Sequence, residues 1–192
     1  MASEISGRVQ RLNWYDLGPF TVFDVETTGM SPVGDRIVEL AALRIDKDGS
    51  EKEFHTLVNP GRTIPPGVVA VHHITDKMVI DAPHFSTAGK MFTDFAAGST
   101  LVAHNARFDL GFLQESLARC GLPLWEGKTI DSIRLLKKTH PGLPCYKLQS
   151  LRFYFKLDSD DSMQAHRAGS DVRWTMQLLK IALERALHIS DC

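Results

Sequence analysis

Three cysteines in 192 residues, Cys120, Cys145 and Cys192, are too few and too far apart for a disulfide framework. They also lack CxxC or Cys/His metal spacing, and a reducing cytoplasm is the compartment expected of such usage. No apolar run approaches the ~18 residues of a membrane span. The opening MASEISGRVQR has no apolar stretch of the kind a secretory signal needs. Membrane insertion and export are therefore not expected. Neither sign of charge dominates, since 22 Lys+Arg stand against 23 Asp+Glu for a net −1. Any site for a polyanion must then be local. Glycine-rich phosphate loops are missing as well, with no G-x-G-x-x-G after a strand and no G-x-x-x-x-G-K-[ST], which speaks against a dinucleotide-binding or P-loop protein. There is no internal repeat, low-complexity tract or linker. A chain of this length with 43% hydrophobic residues supports one core. The expectation is a polar lead-in over 1–19 and a single domain over 20–188.

What is present is organised around Phe20–Gly29, FTVFDVETTG. Phe20, Val22, Phe23 and Val25 mark a buried strand. Asp24 and Glu26 are two apart and so share one face of it. Two neighbouring anions in an apolar strand repel each other and resist desolvation, so they call for a compensating charge. A metal cation is the usual one, and oxygen ligands favour magnesium or manganese. Taken alone, the pair also fits an edge strand with a polar face. Thr27-Thr28-Gly29 follows, its glycine suited to a sharp turn with close backbone approach.

Along the chain, Arg36–Ile45 is an apolar run of strand length, Asp46–Gly49 a turn, and Glu53–Pro60 the returning strand. These three strands predict an antiparallel meander. Gly61–Pro66 reads as a loop leading into GVVAVHHITDKMV, with a helix start at Ile74–Asp76. Phe85, Ala88, Met91, Phe92 and Phe95 recur at helical spacing as far as Gly98. A strand over Thr100–Asn105 runs directly into a helix with Asn105 as its N-cap, Phe108, Phe112 and Leu113 as its apolar stripe, and Gly121 at its stop. A strand over Lys128–Asp131, a short helix over Ser132–Lys138 and a helix over Leu148–Leu157 follow. Asp158–Asp161 is an acidic loop, and a final helix runs from about Arg167 to about Leu187.

Two later carboxylates stand where they can join the first strand. Asp109 lies one helical turn after Asn105, at the helix start that a strand delivers to the carboxyl edge of a sheet. Alone, it reads equally as an acid complementing the helix dipole. Near the C-terminus, His166 and Asp171 would lie ~140° apart on an ideal helix. His166 is therefore placed before the last helix and Asp171 in its early turns, so that the loop can fold the imidazole over whatever Asp171 ligates.

Together, Asp24-x-Glu26-Thr27-Thr28-Gly29, Asn105-Ala106-x-Phe108-Asp109 and His166-x-Ala168-x-x-Asp171 resemble the three exonuclease motifs of the DnaQ-like superfamily. The histidine marks its DEDDh branch, and the proofreading exonucleases of bacterial replicative polymerases (epsilon-type) are the most similar members. The resemblance spans about Phe20 to Leu187. It implies an α/β, ribonuclease-H-like fold, with a five-stranded mixed sheet of three antiparallel then two parallel strands and helices on both faces. It further implies Asp24, Glu26, Asp109 and Asp171 as ligands of two divalent ions, Mg2+ or Mn2+, and His166 as general base. Thr27, Asn105, Phe108 and His72 would be substrate contacts, with Phe108 read first as core. His72 fits the family's His-Gly-Ile segment, but His73 stands where glycine is usual.

The implied activity is metal-dependent 3′–5′ removal of nucleoside 5′-monophosphates from DNA. A ribonuclease trimming RNA 3′ ends and a catalytically silent nucleic-acid or polymerase-binding module are the alternatives. The expected partners are single-stranded or 3′-terminal DNA (or RNA), with a DNA polymerase subunit as a further candidate and no membrane. The chain ends soon after its last helix, without a long tail, which favours a free-standing repair or trimming enzyme. Independently of the resemblance, no carboxylate occurs between Asp131 and Asp158, while Arg134, Lys137, Lys138, Lys147, Arg152 and Lys156 do, interleaved with Tyr146, Phe153 and Tyr154. This stretch reads either as a single-strand track or as a solvated helix face with core aromatics.

Overall fold

The computed structural model describes residues 12–157 and 167–190. A 3-10 turn (Trp14–Leu17) leads into β1 (Phe20–Thr27), β2 (Ile37–Ile45) and β3 (Glu51–Leu57). Then come α1 (Pro66–His72), α2 (Asp76–Val79), α3 (Phe85–Ala96), β4 (Thr100–Ala103) and α4 (Ala106–Arg119). The remaining elements are β5 (Thr129–Asp131), α5 (Ser132–Thr139), α6 (Leu148–Phe155) and α7 (Ala168–Ser190). His166 and the acidic loop Asp158–Asp161 lie outside the described residues.

The strands form one sheet in the order β3-β2-β1-β4-β5. β1 and β2 are antiparallel, as are β2 and β3, whereas β4 and β5 run parallel to β1. β2 is an almost continuous apolar run because both of its faces are covered, while the edge strand β3 opens on exposed Glu51, Lys52 and Glu53. Alternation along β1 divides the interior in two. Phe23 and Val25 face a core shared with Phe92 of α3 and with Phe112 and Leu113 of α4. Phe20 and Val22 face a second core built on Val172, Met176 and Leu179 of α7. Helices thus cover both faces, as expected of the ribonuclease-H-like arrangement.

Two local readings are corrected by the packing. The lead-in is not uniformly polar, because Trp14 is buried, stacks on Phe20 with ring centroids 6.3 Å apart, and belongs to the α7-side core. Residues 66–72, where the sequence predicts the exit from a loop, form α1. Its signal is Pro66 at the first helical turn, where proline costs nothing because its missing N–H would be unpaired there anyway. Among the described residues no helix is long and apolar enough to cross a membrane.

Candidate active site

Because Phe20 and Val22 face α7, the same alternation turns Asp24 and Glu26 toward α7. There the helix contributes Asp171 from its first turn, itself buried. Asp24, Glu26 and Asp171 each offer a carboxylate oxygen, and these oxygens lie within 4.8 Å of one another. Opposite ligands of a small divalent ion stand ~4.2 Å apart, about twice its bond length to oxygen. The cluster therefore has the size and the hard donor set of a divalent-cation site. Its electrostatics make the same point from the opposite direction. Burial, reinforced by Asp171, Glu39 and Asp109, pushes Glu26 up to about 9. Burial together with Asp109, Asp171 and Glu26 holds Asp24 well above the usual carboxylate range. Such acids stay protonated near neutrality unless a cation compensates them.

Asp109 arrives from the other side of the sheet. Pairing between β1 and β4 stops at Val22↔Val102, because β4 ends at Ala103 and the chain turns into α4. This would leave the Val25 N–H of β1 without a ladder partner. The Asp109 carboxylate accepts it at 3.2 Å. Asp109 is buried, and burial raises it to about 7 against the pull of the Val25 N–H. Three of the four expected ligands thus converge on one point, and the fourth lies next to Asp24 with one oxygen bonded to β1.

A fifth carboxylate, Glu39, escaped the sequence reading. It pairs across the ladder with Glu26 and is 0% exposed. Arg167 donates to it from Nη2 at 2.7 Å and from Nε at 3.2 and 3.3 Å, Ala168 N at 3.1 Å, and His55 Nε2 lies 2.8 Å away. Burial works against its charge, but these hydrogen bonds from His55, Arg167 and Ala168 outweigh burial and bring Glu39 down to about 2. An ionised Glu39 thus fastens the start of α7, between His166 and Asp171 in sequence, to the middle of the sheet. Only a glutamate inside an apolar run (RIVELAAL) and an arginine beside a motif histidine could have signalled this.

The expected substrate contacts divide by exposure. Asn105 is exposed and occupies the N-cap of α4, but in the left-handed region (φ 68°, ψ 52°) and without a side-chain cap bond. Asparagine tolerates that backbone better than most residues. Phe108 is half-buried, its ring 4.9 Å from that of Phe112 on the α3–α4 core. Thr27 is buried and donates its hydroxyl to Gly29 O at 2.6 Å. His72 is 2% exposed. Its Nδ1 accepts from Ile74 N at 3.0 Å, so Nε2 carries the proton and donates to Thr27 O at 3.3 Å. Both ring nitrogens are engaged by backbone, and His72 bears on the site by holding the end of β1. His73 caps α1 at φ 61°, a left-handed position that glycine fills most easily. Gly29 is favoured for a reason beyond the turn expected of it. A Cβ there would meet the Asp35 carboxylate at 2.4 Å, and that carboxylate accepts from Ser31 N and Thr28 Oγ1 to close the loop after β1.

Residues 21–179 match the family model described as exonuclease. The chain is 40% identical over 161 residues to the DNA polymerase III subunit epsilon of Treponema pallidum, covering 83% of this chain and 74% of that one. It is 34% identical over 167 residues to the 3′-5′ exonuclease DinG of Bacillus subtilis, covering 86% of this chain and 18% of that relative. Among solved structures, exonuclease X in complex with 5′ overhanging duplex DNA superposes with a TM-score of 0.67 at 31% identity, covering 86% of this chain and 91% of that one.

Proposed function

This chain belongs to the exonuclease family, and we propose that it is a metal-dependent 3′–5′ exonuclease releasing nucleoside 5′-monophosphates from DNA ends. The convergence of Asp24, Glu26 and Asp171 at the carboxyl edge of the sheet carries this reading. DNA as substrate is supported by the polymerase-subunit relative and the DNA-bound structural neighbour. The 3′–5′ direction is supported by the name of the B. subtilis relative, of which the chain spans 18%.

In this reading Asp24, Glu26, Asp109 and Asp171 hold two divalent cations, Mg2+ or Mn2+. When bound, such ions neutralise charge developing on the attacking and leaving oxygens and acidify the attacking water. The chain's own groups do the rest. His166 takes the water's proton, which an imidazole can do near neutral pH. Arg167 and Glu39 fix the backbone between His166 and Asp171, while Asn105 and Phe108 border the terminal nucleotide. Thr27 presents the end of β1 to that nucleotide, held in place by His72.

The test is digestion of a 5′-labelled single strand in Mg2+. Stepwise shortening of the labelled strand is expected, with no products in EDTA and none from Asp24→Ala. His166→Ala should lower turnover by roughly 10²–10⁴-fold, the range for a positioned general base. A matched RNA strand reports the sugar preference. Release of the label as the first product would overturn the direction, and turnover persisting in EDTA would overturn the metal assignment.

A further inference from the structure

The segment Ser132–Leu157, comprising α5, its connecting loop and α6, has six cations and no carboxylate. Two of the six are occupied with aromatic rings. The Arg152 guanidinium lies 4.2 Å from the Trp174 ring centroid and 5.6 Å from that of Phe153, and Lys137 Nζ lies 5.5 Å from that of Tyr146. Arg134, Lys138, Lys147 and Lys156 are exposed, and none forms a salt bridge among the described residues. Of the interleaved aromatics, Tyr146 packs on the core made by Leu151 and Trp174, whereas Phe153 is 74% and Tyr154 58% exposed. Among the described residues this leaves four exposed cations with neither a ring nor a carboxylate against them, and two exposed aromatic side chains.

His104 determines where this surface stands. It follows β4 directly and precedes Asn105. Its Nε2–H donates to Tyr146 O at 2.9 Å, which leaves Nδ1 to accept from the Ser132 hydroxyl at 2.8 Å. The start of α5 and the residue before Lys147 are therefore both bolted to the carboxyl edge of the sheet, the edge that carries the carboxylates. Asp131 adds a second tie, its carboxylate accepting from Ile133 N and Arg134 N at 2.9 and 3.3 Å. Arg134 and the residue before Lys147 are thus held at the carboxyl ends of β4 and β5, and Phe153, Tyr154 and Lys156 follow on α6 and its C-cap.

We propose that this surface is a track for the substrate strand on the 5′ side of the nucleotide being removed. Arg134 and Lys147 contact the phosphates nearest the site, and Phe153 and Tyr154 stack the bases that follow. The occupant is a single-stranded polyanion, since unpaired cations match phosphates and exposed aromatic side chains match unpaired bases, which a duplex would not offer. His104 acts as a positioning residue for the track. The inference rests on the exonuclease reading.

The experiment compares a long oligothymidylate with the p-nitrophenyl ester of thymidine 5′-monophosphate, which is too short to reach α6. For Arg134→Ala and Lys147→Ala, the ratio of kcat/KM on the strand to that on the ester should fall about tenfold. The slope of log binding against log salt should shrink by about 0.7 for each phosphate no longer engaged. Lys147→Arg should restore both. Phe153→Ala with Tyr154→Ala should lower the same ratio by about tenfold per stacked base while leaving the salt slope unaltered. Ratios and slopes like those of the wild type in all the alanine variants would overturn the track and leave the exonuclease reading standing. A wild type that hydrolyses neither substrate would overturn both.

Discussion

At the scale of the residue, His73 shows how a sequence departure becomes a physical quantity. The family's usual glycine at this position was legible as a pattern but not as a reason, and the reason is φ 61° at the end of α1. A left-handed backbone costs an L-residue about 1–2 kcal/mol, and glycine gives back part of that through its floppier unfolded chain. His73→Gly should therefore raise stability by about 0.5–1 kcal/mol, read as a higher urea midpoint at constant m. A lower midpoint would mean that the imidazole makes contacts that outweigh the strain. The carboxylates that cluster at the end of β1 were legible for the opposite reason, since their signal lies in residue type and spacing. Glu39 was not legible. An acid inside an apolar strand identifies itself only through partners 16 and 128 positions away, His55 and Arg167.

At the scale of the element, the strands and long helices were legible because period-two and helical patterning are local, and α1 was missed because its valines mimic a strand. What no local pattern carries is the tie between β2 and the start of α7. Glu39→Gln removes the charge that Arg167 and the Ala168 N–H address. Losing one partner of a buried pair destabilises by roughly 3 kcal/mol. Were that the whole effect, activity per folded molecule would be normal in a thermal scan corrected for unfolding. If the tie also sets the geometry of the His166–Asp171 segment, kcat should fall at least tenfold with KM little changed. Calorimetric titration should then show weaker Mn2+ binding. Arg167→Lys keeps the charge but cannot reproduce the two-nitrogen grip on Glu39 and should give an intermediate kcat. A destabilised variant with wild-type kcat and Mn2+ affinity would make the pair purely structural.

At the scale of the whole molecule, the site trades stability for function, and pH exposes the exchange. Without metal, Glu26 holds its proton in the folded state up to about 9 and Asp109 up to about 7, against ordinary values of 4.5 and 3.8. Between those limits the folded protein binds more protons than the unfolded chain, so stability falls as pH rises through that window. Glu39 has the opposite sign. At about 2 when folded, it contributes stability that is fully present above 4.5 and lost as pH falls toward 2. The metal-free protein should accordingly lose thermal stability from about pH 5 to about pH 9. Saturating Mn2+ should flatten that decline, because the cation takes over the charge compensation that protons otherwise supply. Cation binding near pH 7 must then expel protons. Titrations in two buffers of different ionisation enthalpy should report a net release that shrinks in Asp24→Asn. A metal-free stability that rises across the same range, or Mn2+ binding without proton release, would mean that the carboxylates are already ionised and that something other than a bound cation compensates their charge.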